Sequence, residues 1–376
     1  MLVASGVLAS LAPQLHGQSL AVYNSAQPLS DGDTVYIEST FGSGSTDPTT
    51  FYTPSMPALG VAYDQKGGPC GQIDYTINIS YDGYHFHESN FNPQTHKLEL
   101  FPTSTDFDET EMPTISGTVN CDQQIHPVQW NDSLQFHYGG DLVIQWHLDA
   151  DASVNGTFGL TLYGTNPSNQ DFDDGMSYLA SQSVPDLPIN WLERLFSLES
   201  AANGWSKHLP AGQYHQFNAV DTGANVNSGN PNDTCGCPEG VGVGQIDEHT
   251  RNNSNGHLVP AQIGPDMFWD WFANVGEGLS NHLAPFENSG ISHWNTDTNL
   301  AAANGLPNVP PQNVTNLPSG CALYDTNHAQ WAYEMDGYNS GHNARFTKVS
   351  RNSTTGVWSW SVAHTYFRDL CNRTAY

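Results

Sequence analysis

At 376 residues, with 38 Asp and Glu against 10 Lys and Arg, the chain is long enough for two domains of ordinary size and carries a formal net charge of −28. Charged residues make up only 13% of it, so the acidity comes from missing bases. A chain so poor in cations cannot hold a polyanion by releasing its counterions, which excludes nucleic acid and anionic membrane surfaces as partners, leaves neutral glycan open and suits an acidic habitat.

Residues 2–12 form the only continuous apolar run, and no run reaches the ~18 residues needed to span a bilayer. The run has the length of a signal-peptide core and is followed by small residues near Gly17 and Ser19, although the usual basic stretch before it is missing. Residues 1–19 are expected to be a signal remnant, and the protein to be secreted, extracellular or periplasmic. Six cysteines fit an oxidising compartment. Cys70 and Cys121 fall in the first half and Cys235, Cys237, Cys321 and Cys371 in the second, so pairing within halves gives one bridge and two. Cys235-Gly-Cys237 lacks the second cysteine pair that zinc would want, and no metal or cofactor is expected.

Residues 20–163 read as strands and turns. Ile73, Tyr75, Ile77, Ile79 and Tyr81 alternate with Asp74, Thr76, Asn78 and Ser80, a period of two that puts apolar side chains on one face of a sheet. Shorter runs of this kind are Thr34–Glu38, Leu98–Phe101, Leu134–His137, Leu142–Leu148 and Thr157–Tyr163. Turn residues separate them at the spacing of an all-β sandwich, and the pattern resembles the immunoglobulin-like modules of bacterial surface proteins. The resemblance implies a spacing or wall-targeting role. His85 and His87 share a strand face without third and fourth metal ligands.

Beyond Gly164 the pattern turns helical, which sets a second, mainly α domain at 164–376. Trp191, Leu192, Leu195 and Phe196 recur at three-to-four spacing in 187–200, with Pro188 in the first turn. A second helix is predicted from Pro265-Asp266, presenting Phe268, Phe272, Val275, Leu279 and Leu283, and a third over 327–338 with Trp331, Met335 and Tyr338. The Gly/Asn/Pro-rich segments 211–241 and 286–320 are expected to be surface loops pinned by disulfides. Trp358 and Trp360 lie on one face of a short strand, as core residues or as a stacking surface for sugars.

Three segments carry candidate chemistry. Glu199 follows Leu195 and Phe196 by four and three residues, so a helix turns it toward the apolar stripe, while Glu193 is expected on the solvated face. A carboxyl at the edge of an apolar face is partly desolvated and keeps its proton near neutral pH, as a general acid must. The loop from Gly240 to Asp247 alternates glycine with other residues. It allows close backbone approach to a ligand, and Gln245 can donate and accept hydrogen bonds. Tyr338-Asn339 closes the third helix with an aromatic face, a hydroxyl and an amide.

The order Glu199-Ser200, then Gly244-Gln245, then Tyr338-Asn339 resembles the succession of motifs in soluble lytic transglycosylases and goose-type lysozymes, over roughly residues 187–345. The resemblance implies a lysozyme-like domain with Glu199 as general acid. It further implies that Ser200, Gly244, Gln245, Tyr338 and Asn339 border the substrate, and that peptidoglycan glycan strands are the partner. Trp269 to Val275, with Gly278 and Leu279, resembles the helix that follows the Gly-Gln loop in bacterial members. The gap from Glu199 to Gln245 is long for the family and holds Cys235 and Cys237. Asp247 matches the carboxylate that orients water in goose-type lysozymes, which favours hydrolysis over formation of a 1,6-anhydro end, with Asp233 and Glu239 as further candidates. A pair of carboxyls ~6.5–9.5 Å apart would admit a water and invert the anomeric centre. The rival expectations are a non-catalytic glycan-binding or structural surface or virion protein of the same fold, and a glycosidase acting on chitin-like chains.

Overall fold

The computed structural model describes residues 18–41, 52–65, 71–80, 114–130, 139–199 and 270–372, apart from residues 123, 166, 324 and 341–344, together with short pieces at 84–85, 91–92, 97–98, 101–102, 243–244, 249–251 and 258–260. Up to Gly164 these residues form strands; from Asn169 onward they are mainly helical.

The strands are β1 (Gln18–Asn24), β2 (Gln27–Pro28), β3 (Thr34–Phe41), β4 (Tyr52–Ser55), β5 (Leu59–Gln65), β6 (Gln72–Ser80), β7 (Ile115–Asn120), β8 (His126–Pro127), β9 (Gly140–Leu148) and β10 (Asp151–Gly164). They make a six-stranded sheet in the order β7-β6-β9-β10-β3-β4 and a four-stranded sheet in the order β8-β5-β1-β2. β10 and β3 run parallel. The alternation on β6 works as the period of two requires: Ile73, Tyr75 and Ile77 are buried and Asp74, Thr76 and Asn78 half-buried. Across the register Ile77 meets Ile144 of β9, and the two sheets share one apolar cluster that includes Val22, Val61, Leu142 and Leu162. Each such side chain contributes roughly 1.5–3 kcal/mol by leaving water. The predicted strand at Leu98–Phe101 is split: Lys97–Leu98 pairs with Phe91–Asn92, and Phe101–Pro102 with Tyr84–His85. Residues 134–137, the side chains of His85 and His87, and residues 1–17 lie outside the described residues.

Among the described residues six α-helices of six residues or more follow: α1 (Asn169–Ser183), α2 (Ile189–Glu199), α3 (Trp271–Glu277), α4 (Phe286–Ala303), α5 (Thr326–Ser340) and α6 (Tyr366–Cys371). α2 and α5 fall where the periodicity put them. The helix expected from Pro265 is described from its cap Asp270, whose carboxylate accepts from the N–H groups of Phe272 and Ala273. It runs on into a π-helical turn at Gly278–Leu283, where Leu279 and Leu283 are fully buried. α1 is a helix that the periodicity missed, capped by Ser168.

One expectation is overturned in part: residues 286–303, taken as loop, form the 18-residue helix α4. Its Asn, Ser, Gly and Thr residues are poor helix formers, and tertiary packing decides instead. Trp294 is buried and stacks on Trp360 at 6.0 Å, while buried Asp297 accepts from the Tyr333 hydroxyl (2.9 Å) and the Val349 N–H (3.1 Å). Gly290 lets α4 reach α5, since a Cβ there would lie 3.2 Å from the Glu334 nitrogen. A hairpin of β11 (Thr347–Arg351) and β12 (Trp358–Val362) closes this core. Trp360 is a core residue, its indole N–H donating to the Pro307 carbonyl (2.9 Å), whereas Trp358 is half-buried. Cys321 and Cys371 are joined by a disulfide, and Cys121 is disulfide-bonded as well. Residues 211–241, with Cys235 and Cys237, lie outside the described residues.

Candidate functional site

Glu199 ends α2. The apolar stripe of that helix, Trp191, Leu192, Leu195 and Phe196, is buried in the core, and this fixes the direction in which the last turn points. The Glu199 side chain is therefore drawn off the solvent side. Burial pushes its carboxyl up to about 7, and one hydrogen bond, donated by the Tyr366 hydroxyl to Oε1, pulls the other way. With Oε1 so occupied, the proton of the neutral acid belongs on Oε2.

Phe196, one turn before Glu199, meets Tyr338 of α5 edge to face at 6.2 Å. The Tyr338 hydroxyl donates to the Gly244 carbonyl (2.7 Å), and the Gly244 N–H donates to Oδ1 of buried Asn274 on α3 (2.6 Å). Gly244 is thus clamped on both backbone groups by side chains from two helices. Gly278, at the start of the π-helical turn, must be glycine for this: a Cβ would stand 2.9 Å from the Tyr338 hydroxyl and 3.2 Å from the Phe196 ring. π-turns recur at functional sites because they re-aim the chain. This one also brings His282 beside Tyr338, ring to ring at 6.3 Å, where burial keeps the imidazole neutral by lowering its proton affinity.

Glu199, Gly244 and Tyr338 are thereby brought into one neighbourhood. The side chain of Asn339 lies outside the described residues, although α5 carries its backbone, and so do Ser200, Gln245, Asp247, Asp233 and Glu239. Glu193 departs from expectation. It is half-buried, with its carboxyl raised by burial and then by Asp173 and only partly offset by Arg194, because α1 packs on the face that the helical wheel assigned to solvent.

Two contributors were not anticipated. Tyr366 is nearly buried, and its hydroxyl is held well above the ordinary tyrosine range by burial and by Glu199, so it stays protonated and can act as a donor. Asn274 holds the loop backbone. Elsewhere on α5, Glu334 is another buried carboxyl, pushed up to about 8 by burial and by the charges of Glu287 and Asp186. Among the described residues no group of His, Cys, Asp and Glu could hold a metal ion. The site offers a neutral carboxyl able to donate a proton, fixed from one side by a tyrosine, next to a backbone loop and an aromatic ring. The chain matches no protein-family model, no curated protein and no solved structure.

Proposed function

We propose that this chain is a secreted glycosidase that cleaves the glycan strands of peptidoglycan between N-acetylmuramic acid and N-acetylglucosamine, with Glu199 as general acid. The observation that carries the proposal is the placing of one carboxyl: Glu199 ends α2 beside its buried apolar stripe and accepts from the Tyr366 hydroxyl on Oε1, and burial pushes it up to about 7. Protonation of the glycosidic oxygen from Oε2 lets the bond break with positive charge developing on the sugar ring, and the carboxylate left behind is steadied by the Tyr366 hydroxyl. Tyr338 and the Gly244 backbone border the same neighbourhood, as the motif order implies for a lysozyme-like domain, and Gln245 follows directly in sequence. Asp247 is the candidate to orient an attacking water; without it the sugar's own 6-hydroxyl would attack and leave a 1,6-anhydro end. The strand-rich part, read as an immunoglobulin-like sandwich, serves as spacer or wall-targeting module.

Dye release from labelled peptidoglycan and from labelled chitin, measured side by side, tests the substrate. Release from peptidoglycan well above that from chitin is expected. Equal rates would move the assignment to chitin-like chains, and no release from either would leave a non-catalytic glycan-binding or structural protein.

A further inference from the structure

The acid described above is oriented by Tyr366, and Tyr366 is the first residue of a six-residue helix. So short a helix has almost no stability of its own, so something outside it must fix its position. Three contacts do. At its C-terminal end the Cys321–Cys371 disulfide ties it to the loop before α5, and the Arg194 guanidinium of α2 donates to the Cys371 carbonyl (2.7 Å). At its N-terminal end the Phe367 N–H donates to Oδ1 of Asp336 (3.0 Å), and Oδ2 of the same carboxylate lies 2.8 Å from Nδ1 of His364.

The third contact is unusual in its cost. Asp336 is fully buried, while His364 keeps about a third of its side chain in solvent. A buried carboxylate beside a histidine is expensive, and an apolar pair would often serve stability as well. Placed here, the pair brackets Tyr366 in sequence: His364 precedes it by two residues, and Phe367 follows it. One carboxylate from α5 therefore holds the backbone N–H just after the residue that touches the acid and meets the imidazole of the residue two before it.

We propose that Asp336 and His364 are positioning residues for the acid, holding the start of α6 so that the Tyr366 hydroxyl stays on Oε1 of Glu199. They touch neither substrate nor Glu199, and they act through Tyr366 alone. The proposal rests on Glu199 as the group that matters, but not on what it cleaves. The titratable groups facing Tyr366 are Glu199 on α2 and Tyr338 and Asp336 on α5, and those facing Asp336 are His364 and Asp369. The sign of the effect separates positioning from charge. If Asp336 acted through its negative charge, replacing it with a neutral residue would make Glu199 and Tyr366 easier to ionise and lower the Glu199 midpoint. If it acts by position, losing it frees the Tyr366 hydroxyl, removes the one influence that lowers the Glu199 carboxyl, and raises the midpoint.

The experiment is a pH titration of the Glu199 carboxyl by carbon-13 NMR in full-length protein labelled at glutamate Cδ, the signal assigned by its disappearance in E199Q. Asp336→Asn, His364→Gln, Tyr366→Phe and the double variant D336N/Y366F are compared. D336N and Y366F are each expected to raise the midpoint by about one pH unit, the size of one lost hydrogen bond to a charged group. The double variant should rise no further than Y366F alone, and H364Q should move the same way by less. H364Q also covers the case in which D336N fails to fold. A midpoint that stays put or falls in H364Q, and in D336N where it folds, would overturn the proposal even if the melting temperature drops. Since the titration needs no substrate, loss of the peptidoglycan assignment would leave this result standing, and the reverse also holds.

Discussion

Glu199→Gln gives the sharpest test of the buried acid in the absence of any substrate. In the folded protein the carboxyl keeps its proton to about pH 7, whereas in the unfolded chain it releases it near the ordinary value of 4.5. Between those two pH values the native state binds more protons than the unfolded state, so wild-type stability falls as pH rises through the window. The full difference corresponds to about 3 kcal/mol, an upper bound since burial costs relax in real proteins. Glutamine does not titrate, and its carbonyl oxygen can still accept from Tyr366. E199Q should therefore match the wild type to within about 1 kcal/mol at pH 4 and become progressively more stable than it, the gap growing by up to about 3 kcal/mol by pH 8 and then levelling. Urea unfolding followed by tryptophan fluorescence at half-unit pH steps reads this directly, and taking the difference between the two proteins cancels every other titrating group. A gap that does not change with pH, or that shrinks as pH rises, would refute the claim that this carboxyl is held neutral by burial.

Three further outcomes follow from the same geometry. Y366F should move the alkaline limb of the pH–activity profile upward by about one unit, because the Tyr366 hydrogen bond favouring the carboxylate is gone, while lowering the maximal rate at least severalfold. Glu334→Gln should also stabilise the protein with rising pH, but with its carboxyl pushed up to about 8 its gain should keep growing to about pH 9, beyond the window of E199Q, as the same urea series would record. Replacing Cys321 and Cys371 by serine opens a link that spans 50 residues and should cost about 4 kcal/mol by chain entropy. It should also reduce activity more than that loss of stability explains, since α6 carries Tyr366; thermal melts and rates measured well below the melting temperature separate the two.

What could be read from the sequence was what local pattern decides. The alternation from Ile73 to Ile79 gave β6 because one sheet face is buried, and Trp191 to Phe196 gave α2 and the direction of Glu199 because one helix face is buried. The order of Glu199, Gly244 and Tyr338 suggested a common site, and the Tyr338–Gly244 and Phe196–Tyr338 contacts join those segments. What stayed hidden depends on partners remote in sequence. α4 is held by Trp294 against Trp360 and Asp297 against Tyr333, so its weak intrinsic propensity pointed to a loop. Tyr366 meets Glu199 across 167 residues, and no periodicity around it marks that role. Glu193 looked solvated because a helical wheel knows its own helix and nothing of α1.

The central claim is that Glu199 gives its proton to a glycosidic oxygen of peptidoglycan. Purified peptidoglycan incubated with the wild type and with E199Q, followed by mass spectrometry of the soluble muropeptides, tests it most directly. Fragments ending in reducing or 1,6-anhydro N-acetylmuramic acid are expected with the wild type and none above background with E199Q. Fragments released equally by both proteins, or by neither, would contradict it.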